Sequence, residues 1–302
     1  MIPLIKSIIM TLLISSLFGN RHYVDVLGID QNGGAPHASC EKRCCIKLWE
    51  SGKKEKVSSI GIVNPLTKQG WLFDATPDFP SQYRILIEDH STELVGIFLT
   101  HAHMSHYTGL LHLGIKVMEK KNVPLYVMSR MKRYLETNGS WSQPVTLKII
   151  NLKLIENNQD IKIGEQLFIE PFLVPQRDEY SETVCYRIIG NEKSLAFIPD
   201  IDKWEKWHGS IFQLVLNTDI LLLDGTFFSQ NEIPHRNMAE IPHPFITESM
   251  ETLSKLNSEN RKKVHYIHYN HSKPALKDNS PAYHTIKSKR FNLDREGDRF
   301  NL

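Results

Sequence analysis

The sequence predicts an α/β protein in which helices cover β-sheets. Short runs of β-branched and apolar residues recur along the chain and end in polar or turn-forming residues, which is the pattern of strands. Segments with helical apolar spacing separate the later runs, so strands come first in pairs and then alternate with helices. This order excludes a helical bundle and an all-β sandwich.

The individual elements follow from these patterns. The predicted strands are short apolar or β-branched runs, at residues 23–28, 58–63, 71–74, 96–100, 125–127, 167–174, 183–189, 194–198, 220–224 and 264–269. The predicted helices have apolar residues at helical spacing, at residues 107–120, 130–138, 204–216 and 245–256. Gly139 follows the second of these helices, where a left-handed residue commonly ends a helix.

Length and composition predict one folded domain. The chain has 302 residues, of which 41% are hydrophobic and 23% charged, enough to bury a core and unlike a disordered, collagen-like or coiled-coil chain. The sequence contains no repeat, no low-complexity tract and no linker rich in proline, glycine or serine. We therefore expect residues 21–302 to form a single domain.

The charge balance argues against a nucleic-acid partner. The chain has 36 lysines and arginines against 34 aspartates and glutamates, a formal net charge of +2, and the basic residues are spread along it. Binding to a nucleic-acid backbone requires a basic stripe or patch. We expect a small-molecule substrate instead, while the oligomeric state stays open.

The N-terminal residues have the pattern of a secretory signal peptide. Lys6 precedes an apolar stretch at residues 8–18, and Gly19 and Asn20 follow it. The alternative is a buried N-terminal strand or helix. No later segment approaches about 20 consecutive apolar residues, so we expect no integral membrane protein. We expect residues 1–20 to be a signal peptide and the protein to be exported, to the periplasm.

Three histidines cluster where a predicted strand gives way to a helix. The segment FLTHAHMSHYTGL, residues 98–110, contains His101, His103 and His106. Residues two apart at a strand end point to the same side, so His101 and His103 can converge on one ion, while His106 on the following turn reaches a neighbouring position. Imidazole is a common ligand of zinc and iron. The pattern predicts a metal site, with buried structural histidines as the alternative.

This loop resembles that of the metallo-β-lactamase superfamily, which reads Thr-His-x-His-x-Asp-His. Thr100 and the three histidines match it, and Ser105 stands where the superfamily has its aspartate. The later landmarks of the superfamily also occur in order. Asp200 in AFIPDID matches the bridging aspartate, His268 after VHYI matches the last histidine ligand, and Gln176 stands in the segment of the remaining histidine.

The resemblance implies a four-layer αβ/βα sandwich with its site at the strand ends between two sheets. It also implies a ligand set of His101, His103 and Asp200 for one ion, with His106 and His268 for the other. With Ser105 and Gln176 in two ligand positions, we expect a single catalytic zinc ion, because three protein ligands and an open position are the usual composition of such a site. Iron and manganese are the alternatives.

Within the superfamily the chain is most similar to the group of coenzyme pyrroloquinoline quinone biosynthesis protein B. The resemblance extends from about residue 24 to the C-terminus, through segments such as VLGIDQNGGAPHASC, WLFDATPDFP, IPDIDKW, LLLDGTFF and YIHYNHSKPAL. More distantly, the chain resembles the cyclic phosphodiesterase of phosphonate breakdown and ribonuclease Z.

The cysteines predict a second metal site. Three of the four cysteines, Cys40, Cys44 and Cys45, lie within six positions. Related phosphodiesterases hold a structural zinc there with a histidine just past the last catalytic histidine, which implies His271 as the fourth ligand. Thiolates and imidazole in tetrahedral array form a closed structural zinc site. The alternative is a disulfide, with Cys185 as a further thiol.

Two further groups of residues complete the predicted site. Asp224, which ends the strand LLLD, and His243 in IPHPF resemble the proton-donating pair of ribonuclease Z. A carboxylate orients imidazole and raises its pKa, which suits a general acid. The alternative is a turn cap and a surface histidine. Asp74 and Asp78 in FDATPDF are expected to hold the loop beside the metal, and Asp78 is a candidate for facing the pocket.

Three functions are consistent with these residues. The first is a metal-dependent hydrolase acting on a small ester or phosphodiester, with His243 and Asp224 protonating the leaving group. The second is an iron-dependent hydroxylase or oxygenase of quinone cofactor biosynthesis, since the similar group is associated with oxidative chemistry. The third is a non-enzymatic binding protein, in which Ser105 and Gln176 mark a degenerate site.

Overall fold

The computed structural model describes residues 21–177, 179–232, 237 and 240–302. The predicted signal peptide, residues 1–20, lies outside the described residues. In the part of the chain that is described, none of the helices combines the length and the apolar character that crossing a membrane requires.

Two seven-stranded sheets form the centre of the described chain. The first contains β1 (Tyr23–Gly28), β2 (Ser59–Asn64), β3 (Gln69–Phe73), β4 (Glu93–Phe98), β5 (Val123–Val127), β6 (Ile150–Leu154) and β14 (Arg299–Asn301). The second contains β7 (Ile161–Gly164), β8 (Leu167–Leu173), β9 (Val184–Ile189), β10 (Ser194–Ile198), β11 (Ile220–Asp224), β12 (Val264–Ile267) and β13 (Asn292–Leu293). The strand orders are β14-β1-β2-β3-β4-β5-β6 and β13-β12-β11-β10-β9-β8-β7.

Each sheet has an antiparallel half and a parallel half. The pairs from β3 to β6 in the first sheet and from β10 to β13 in the second are parallel. The other pairs, including β1 with β14, are antiparallel. Parallel strands are joined through helices, so the parallel halves carry the alternating segments seen in the sequence. Their carboxyl ends carry the predicted site residues.

The helices cover the outer faces of both sheets. The α-helices are α1 (Arg43–Ser51), α2 (Phe79–Tyr83), α3 (Met104–Tyr107), α4 (Ser129–Thr137), α5 (Gly139–Thr146), α6 (Ile211–Asn217), α7 (Ile246–Thr252), α8 (Ser258–Arg261) and α9 (Pro281–Ser288). A π-helix at Arg84–Asp89 continues α2. Apolar residues of α2, the π-helix and α4 pack on the first sheet, and those of α6, α7 and α9 pack on the second.

Alternation along the strands builds the core between the sheets. In β2, Ile60 and Ile62 face the second sheet, while Val63 belongs to the cluster under the outer helices. The inner cluster continues through Phe73 of β3 and Phe197 of β10, which stack edge to face with ring centroids 6.3 Å apart. Helices, sheet, sheet and helices are therefore the four layers. The predicted four-layer αβ/βα sandwich is confirmed.

Two predicted helices are wrong in extent. The segment 107–120 is not one helix, because a 3-10 helix at Thr108–Leu113 follows α3 and the chain turns from Gly114 onward. Gly109 packs so closely that a Cβ there would lie 2.2 Å from the carbonyl oxygen of Thr76, which fixes this turn against the loop after β3. The segment 204–216 is also divided, since Ser210 caps a new helix, α6, by accepting from the backbone N–H of Gln213.

Several short elements were not predicted from the sequence. These are β6, β7, β13, β14, α1, α5 and α9, together with the one-turn helices. Gly139 begins α5 and does not end α4 in a left-handed conformation. β6 and β14 are edge strands with alternating exposure, and β13 has two residues, so their apolar signal is weak. β14 forms because it pairs with β1, where Arg299 makes a bidentate ion pair with Asp25 at 2.6 and 2.8 Å.

Candidate metal centre and catalytic pocket

The predicted ligands converge at the carboxyl ends of the central strands. His101 and His103 follow β4 of the first sheet, and His106 lies on α3 just beyond. Asp200 follows β10 and His268 follows β12, both in the second sheet. The two sheets pack face to face, so side chains from these strand ends meet between them although they are distant in the sequence.

The predicted ligands form two overlapping groups that can hold a cation, and Asp224, His243 and His268 form a third group beside them. His101, His103 and Asp200 form one, and His106, Asp200 and His268 form the other, with the ligand atoms of each group within 4.8 Å of one another. Asp200 is common to both groups, which is the bridging position that the superfamily resemblance implies. Each group offers two imidazoles and one carboxylate.

The second group has the bonding pattern of a metal site. Nε2 of His106 and Nε2 of His268 are buried and have no hydrogen-bond partner among the described residues. The other nitrogen of each ring is held, His106 Nδ1 by Asp74 Oδ2 at 2.7 Å and His268 Nδ1 by Thr226 Oγ1 at 3.0 Å. Buried polar atoms are normally paired. A metal ion would satisfy both Nε2 atoms, and ligating histidines usually donate their second nitrogen in this way.

The first group is partly satisfied by itself. His101 Nε2 lies 2.8 Å from Nδ1 of His103 and 3.2 Å from Oδ2 of Asp200. His103 Nε2 lies 3.4 Å from the exposed carboxylate of Glu179 at the rim. The imidazoles of this group thus bond each other and nearby carboxylates, whereas those of the second group present free nitrogens.

The protonation states of Asp200, His101 and His268 suit cation binding, whereas at His103 burial is outweighed by the carboxylates of Asp200 and Glu179, which raise the pKa. Burial raises the pKa of Asp200, but His243, His101 and His103 outweigh it and hold that pKa well below the ordinary value. Burial, with His106 beside it, lowers the pKa of His101 to about 4. Burial also lowers the pKa of His268 well below its ordinary value. An ionised carboxylate and neutral imidazoles are the forms that bind a metal.

Asp74 holds the histidine loop from beneath. This residue follows β3, is fully buried and has a left-handed backbone with φ of 64°. Its carboxylate accepts from the backbone N–H of Thr100 at 2.8 Å and from the Thr100 hydroxyl at 2.9 and 3.0 Å, as well as contacting His106. The Thr100 hydroxyl in turn lies 2.9 Å from Nδ1 of His101. One carboxylate therefore orients two candidate ligands.

We expect Asp74→Asn to weaken metal binding in this site about 10- to 100-fold, because an outer carboxylate fixes ring orientation and raises ligand basicity. Competition with a chromophoric chelator measures the dissociation constant. Asp219→Asn is the matched control, since Asp219 bonds Ser194 at 2.8 and 2.9 Å near the surface of the second sheet. Unchanged metal affinity in Asp74→Asn would contradict this role.

Asp224 and His243 form a buried pair beside the metal ligands. His243 Nδ1 lies 2.7 Å from Oδ2 of Asp224 at the end of β11, and 3.4 Å from Oδ1 of Asp200. Burial lowers the pKa of His243, but the carboxylates of Asp224 and Asp200 outweigh it and raise that pKa to about 9. The hydroxyl of Thr226 also lies 3.3 Å from His243 Nδ1. The structure thus places His243 in the pocket and not at the surface.

The cysteine cluster lies apart from this pocket. Cys40, Cys44, Cys45 and His271 have their ligand atoms within 4.8 Å of one another, and all four cysteines of the chain are free thiols. Cys185 lies in β9, fully buried in the core, and is not part of the cluster. Burial lowers the pKa of His271 to about 4, which keeps its imidazole neutral, and its buried Nδ1 has no hydrogen-bond partner among the described residues. Three thiols and a neutral imidazole fit a closed zinc site.

The family of the chain follows from the order of its candidate site residues and from a family profile that matches the segment containing them. The sequence profile described as Beta-lactamase superfamily domain matches residues 71–269, from β3 to the residue after His268. The chain belongs to the metallo-β-lactamase superfamily. The match covers the histidine loop, Asp200 and the Asp224–His243 pair.

Curated proteins and solved structures of the superfamily are similar along the chain. Coenzyme PQQ synthesis protein B of Methylococcus capsulatus is 25% identical, over 87% of this chain and 94% of that protein. The crystal structure of Zn(2+)-bound PqqB from Methylobacterium extorquens has 21% identity and a TM-score of 0.77, covering 93% of this chain and all of that one. A diphosphatase from the PhnP family has 20% identity and a TM-score of 0.66, covering 93% and 97% of the two chains. The solved structures share the fold.

Two residues depart from the superfamily pattern of ligands. Ser105, on α3 at the carboxylate position, is buried and lines the pocket. Gln176 stands in the segment of the remaining histidine, and its side-chain amide donates to Oδ1 of Asp200 and to the carbonyl of Pro242, the latter at 3.2 Å. The amide group therefore occupies one oxygen of Asp200 with a hydrogen bond.

Asp78 does not reach the metal ligands. Its Oδ2 accepts from the backbone N–H of Val57 at 2.9 Å, and its Oδ1 pairs with Lys54. Asp78 therefore holds the loop before β2 and does not line the catalytic pocket.

The candidate catalytic pocket has a volume of about 450 Å³. Apart from ligand residues, polar and aromatic side chains line it, namely Gln31, Asn32, Tyr107, Arg177, Glu179 and Tyr180. Sequence reasoning missed these residues and the supporting Thr226, because loop residues carry no periodic signal. A usable signal existed for Thr226 alone, since it lies two positions after Asp224 at the strand end.

Proposed function

We propose that this protein is a metal-dependent hydrolase of a small ester or phosphodiester. The observation that carries the proposal is the pair of unpartnered Nε2 atoms of His106 and His268 beside the ionised Asp200, with His243 facing the same pocket. The pocket volume of about 450 Å³ supports a small substrate. Similar solved structures described as a diphosphatase and as human tRNase Z belong to hydrolytic enzymes, which supports the same class.

A single ion is favoured at the second group of ligands. His106, Asp200 and His268 would hold it, since Nε2 of His106 and Nε2 of His268 have no partner among the described residues, whereas His101 Nε2 already lies 2.8 Å from Nδ1 of His103. A zinc ion in such a site lowers the pKa of a water ligand and polarises an ester or phosphoryl oxygen. Asp74 and Thr226 keep the two imidazoles in their ligating orientation.

The Asp224–His243 pair handles the proton of the leaving group. His243 Nδ1 donates to Oδ2 of Asp224, which leaves Nε2 as the ring atom available to a substrate in the pocket. In its charged form, His243 donates a proton from Nε2 to the oxygen that departs. Asp224 is buried and holds the ring in place, and its negative charge stabilises the imidazolium.

We expect His243→Gln to lower kcat by about 10²- to 10⁴-fold, the usual contribution of a positioned general acid. The loss grows as the leaving group becomes more basic, because a poorer leaving group depends more on protonation. Rates with aryl phosphodiesters and aryl esters of graded leaving-group pKa measure this dependence in zinc-loaded protein. Asp224→Asn is expected to follow the same trend.

The matched control for this pair is His265→Gln. His265 makes an equivalent bond to a buried carboxylate, 2.6 Å from Nδ1 to Oδ1 of Asp294, but lies on β12 outside the pocket. Its replacement is expected to leave the leaving-group dependence unchanged. If the rate depended equally on leaving-group pKa in the His243→Gln variant and in the unaltered protein, the general-acid role would be contradicted. If the zinc-loaded protein hydrolysed none of the esters and phosphodiesters, the proposed function would be contradicted.

An iron-dependent hydroxylase is the second candidate. Two histidines and one carboxylate are also the ligand set of non-haem Fe(II) oxygenases. Both groups of ligands here have that composition. Metal analysis of protein purified without oxygen separates the candidates, because oxygen consumption requires iron, whereas hydrolysis proceeds with zinc.

A further inference from the structure

A second cavity lies between α1 and the segments that follow β12 and precede β14. Its volume is about 500 Å³, and it shares no lining residue with the catalytic pocket. Cys44 and His271 of the cysteine cluster form part of its wall. The metal-dependent chemistry described above makes no use of this cavity.

The cavity has an apolar interior. Ile29, which is buried, and the partly buried Leu48 and Leu276 contribute its hydrophobic surface. Leu48 projects from α1 and Leu276 from a 3-10 helix at Pro274–Leu276, so the two leucines come from separate elements. An apolar body of a few rings or a short chain fits a space of this size and lining.

Cationic side chains surround this interior. Lys47 of α1, Lys277 and Arg295 come from three separate segments, and all three are exposed at the cavity. Lys47 and Lys277 have no side-chain hydrogen bond or ion pair within the described residues, and Arg295 pairs with the exposed Asp278 at 2.7 Å. Like charges gathered at one rim repel each other and attract an anion.

Each of the two carboxylates that line the cavity has a lysine partner. Glu55 pairs with Lys273, and Glu296 pairs with Lys56. Lys273 is also bound to Asp30, and the residue is buried with a left-handed backbone at φ of 33°. One lysine, Lys273, therefore serves both Glu55 and Asp30 at the floor of the cavity, while Lys47 and Lys277 at the rim have no ion pair among the described residues.

We propose that this cavity is a binding site for a small amphipathic organic anion. The apolar part of the ligand packs against Ile29, Leu48 and Leu276, and its carboxylate, sulfonate or phosphate group is held by Lys47 and Lys277. Because α1 carries both Lys47 and ligands of the cysteine cluster, the site requires the zinc-loaded form of that cluster.

The probe for this site is 8-anilinonaphthalene-1-sulfonate, an aromatic body with one sulfonate, added to the full zinc-loaded chain. Isothermal titration is expected to give a stoichiometric site whose dissociation constant rises about tenfold or more in the double variant Lys47→Gln/Lys277→Gln. N-phenyl-1-naphthylamine, which lacks the sulfonate, is expected to bind more weakly and to be insensitive to that variant.

The matched control is Lys116→Gln/Lys289→Gln, which removes two exposed lysines away from the cavity. It is expected to bind the sulfonate probe like the unaltered protein. Zinc content and the circular dichroism spectrum establish that both double variants are folded. Three results would each overturn the proposal. The sulfonate probe could bind Lys47→Gln/Lys277→Gln as tightly as the unaltered protein, the uncharged probe could bind the unaltered protein as tightly as the sulfonate probe, or Lys116→Gln/Lys289→Gln could lose as much affinity as Lys47→Gln/Lys277→Gln.

Discussion

Replacement of His268 by alanine is expected to remove the ion of the catalytic pocket and to lower hydrolysis about a thousandfold or more. The ring supplies one of the two unpartnered imidazole nitrogens, and Thr226 fixes its orientation at 3.0 Å. A metal contributes several kcal/mol of transition-state stabilisation, and each 1.4 kcal/mol is about tenfold in rate. Elemental analysis and turnover of bis(p-nitrophenyl) phosphate measure both effects on the same sample.

The two predicted metal sites can be counted separately in this experiment. The unaltered chain is expected to bind one ion in the pocket and one at the cysteine cluster, so His268→Ala is expected to keep the second ion. His284→Ala is the control, because His284 is an exposed histidine of α9. A His268→Ala variant with undiminished metal content and turnover would refute the proposed site.

Cys45→Ser is expected to release the zinc of the cysteine cluster and to lower the Tm by about 10 °C. Cys45 is fully buried, and its Sγ accepts from the backbone N–H of His37 at 3.3 Å. A zinc ion there links α1 to the segment after β12, so its binding energy adds to the free energy of unfolding. Burial raises the pKa of Cys45 to about 12, a direction that a bound cation reverses.

Zinc release during thermal unfolding, followed with a chromophoric chelator, measures this effect. Cys185→Ala is the thiol control, since Cys185 is buried in β9 away from the cluster, and it is expected to retain the zinc. Thiol titration in denaturant and chelator separates the zinc site from a disulfide, because zinc predicts four reactive thiols. Two missing thiols, with no zinc in the native protein, would contradict the zinc site.

The histidine loop shows how much of the site local sequence can predict. His101, His103 and His106 lie within six positions, so their spacing alone indicates a metal site. Asp200 and His268 were found through the order of superfamily landmarks, since nothing in their own neighbourhoods marks them as ligands. Their convergence with the histidine loop depends on how two sheets pack face to face, which no local pattern encodes.

The sequence by itself determined the fold class, the principal strands and the identity of the residues at the strand ends. Short buried strands and the loop histidines carry their signal within a few neighbouring residues, and that signal is readable without a structure. Edge strands such as β14 carry little apolar signal, because they depend on a partner strand for their hydrogen bonds.

Only the tertiary structure decided which nitrogens of the site lack partners, that Asp74 supports two of its histidines, and that Asp78 does not face the pocket. It also decided that Lys47 and Lys277, which are 230 positions apart in the sequence, line the same cavity. The physical reason is the same in each case. Periodicity and spacing are set by the local backbone, whereas hydrogen-bond partners and charge convergence are set by contacts between distant segments that form only when the two sheets pack.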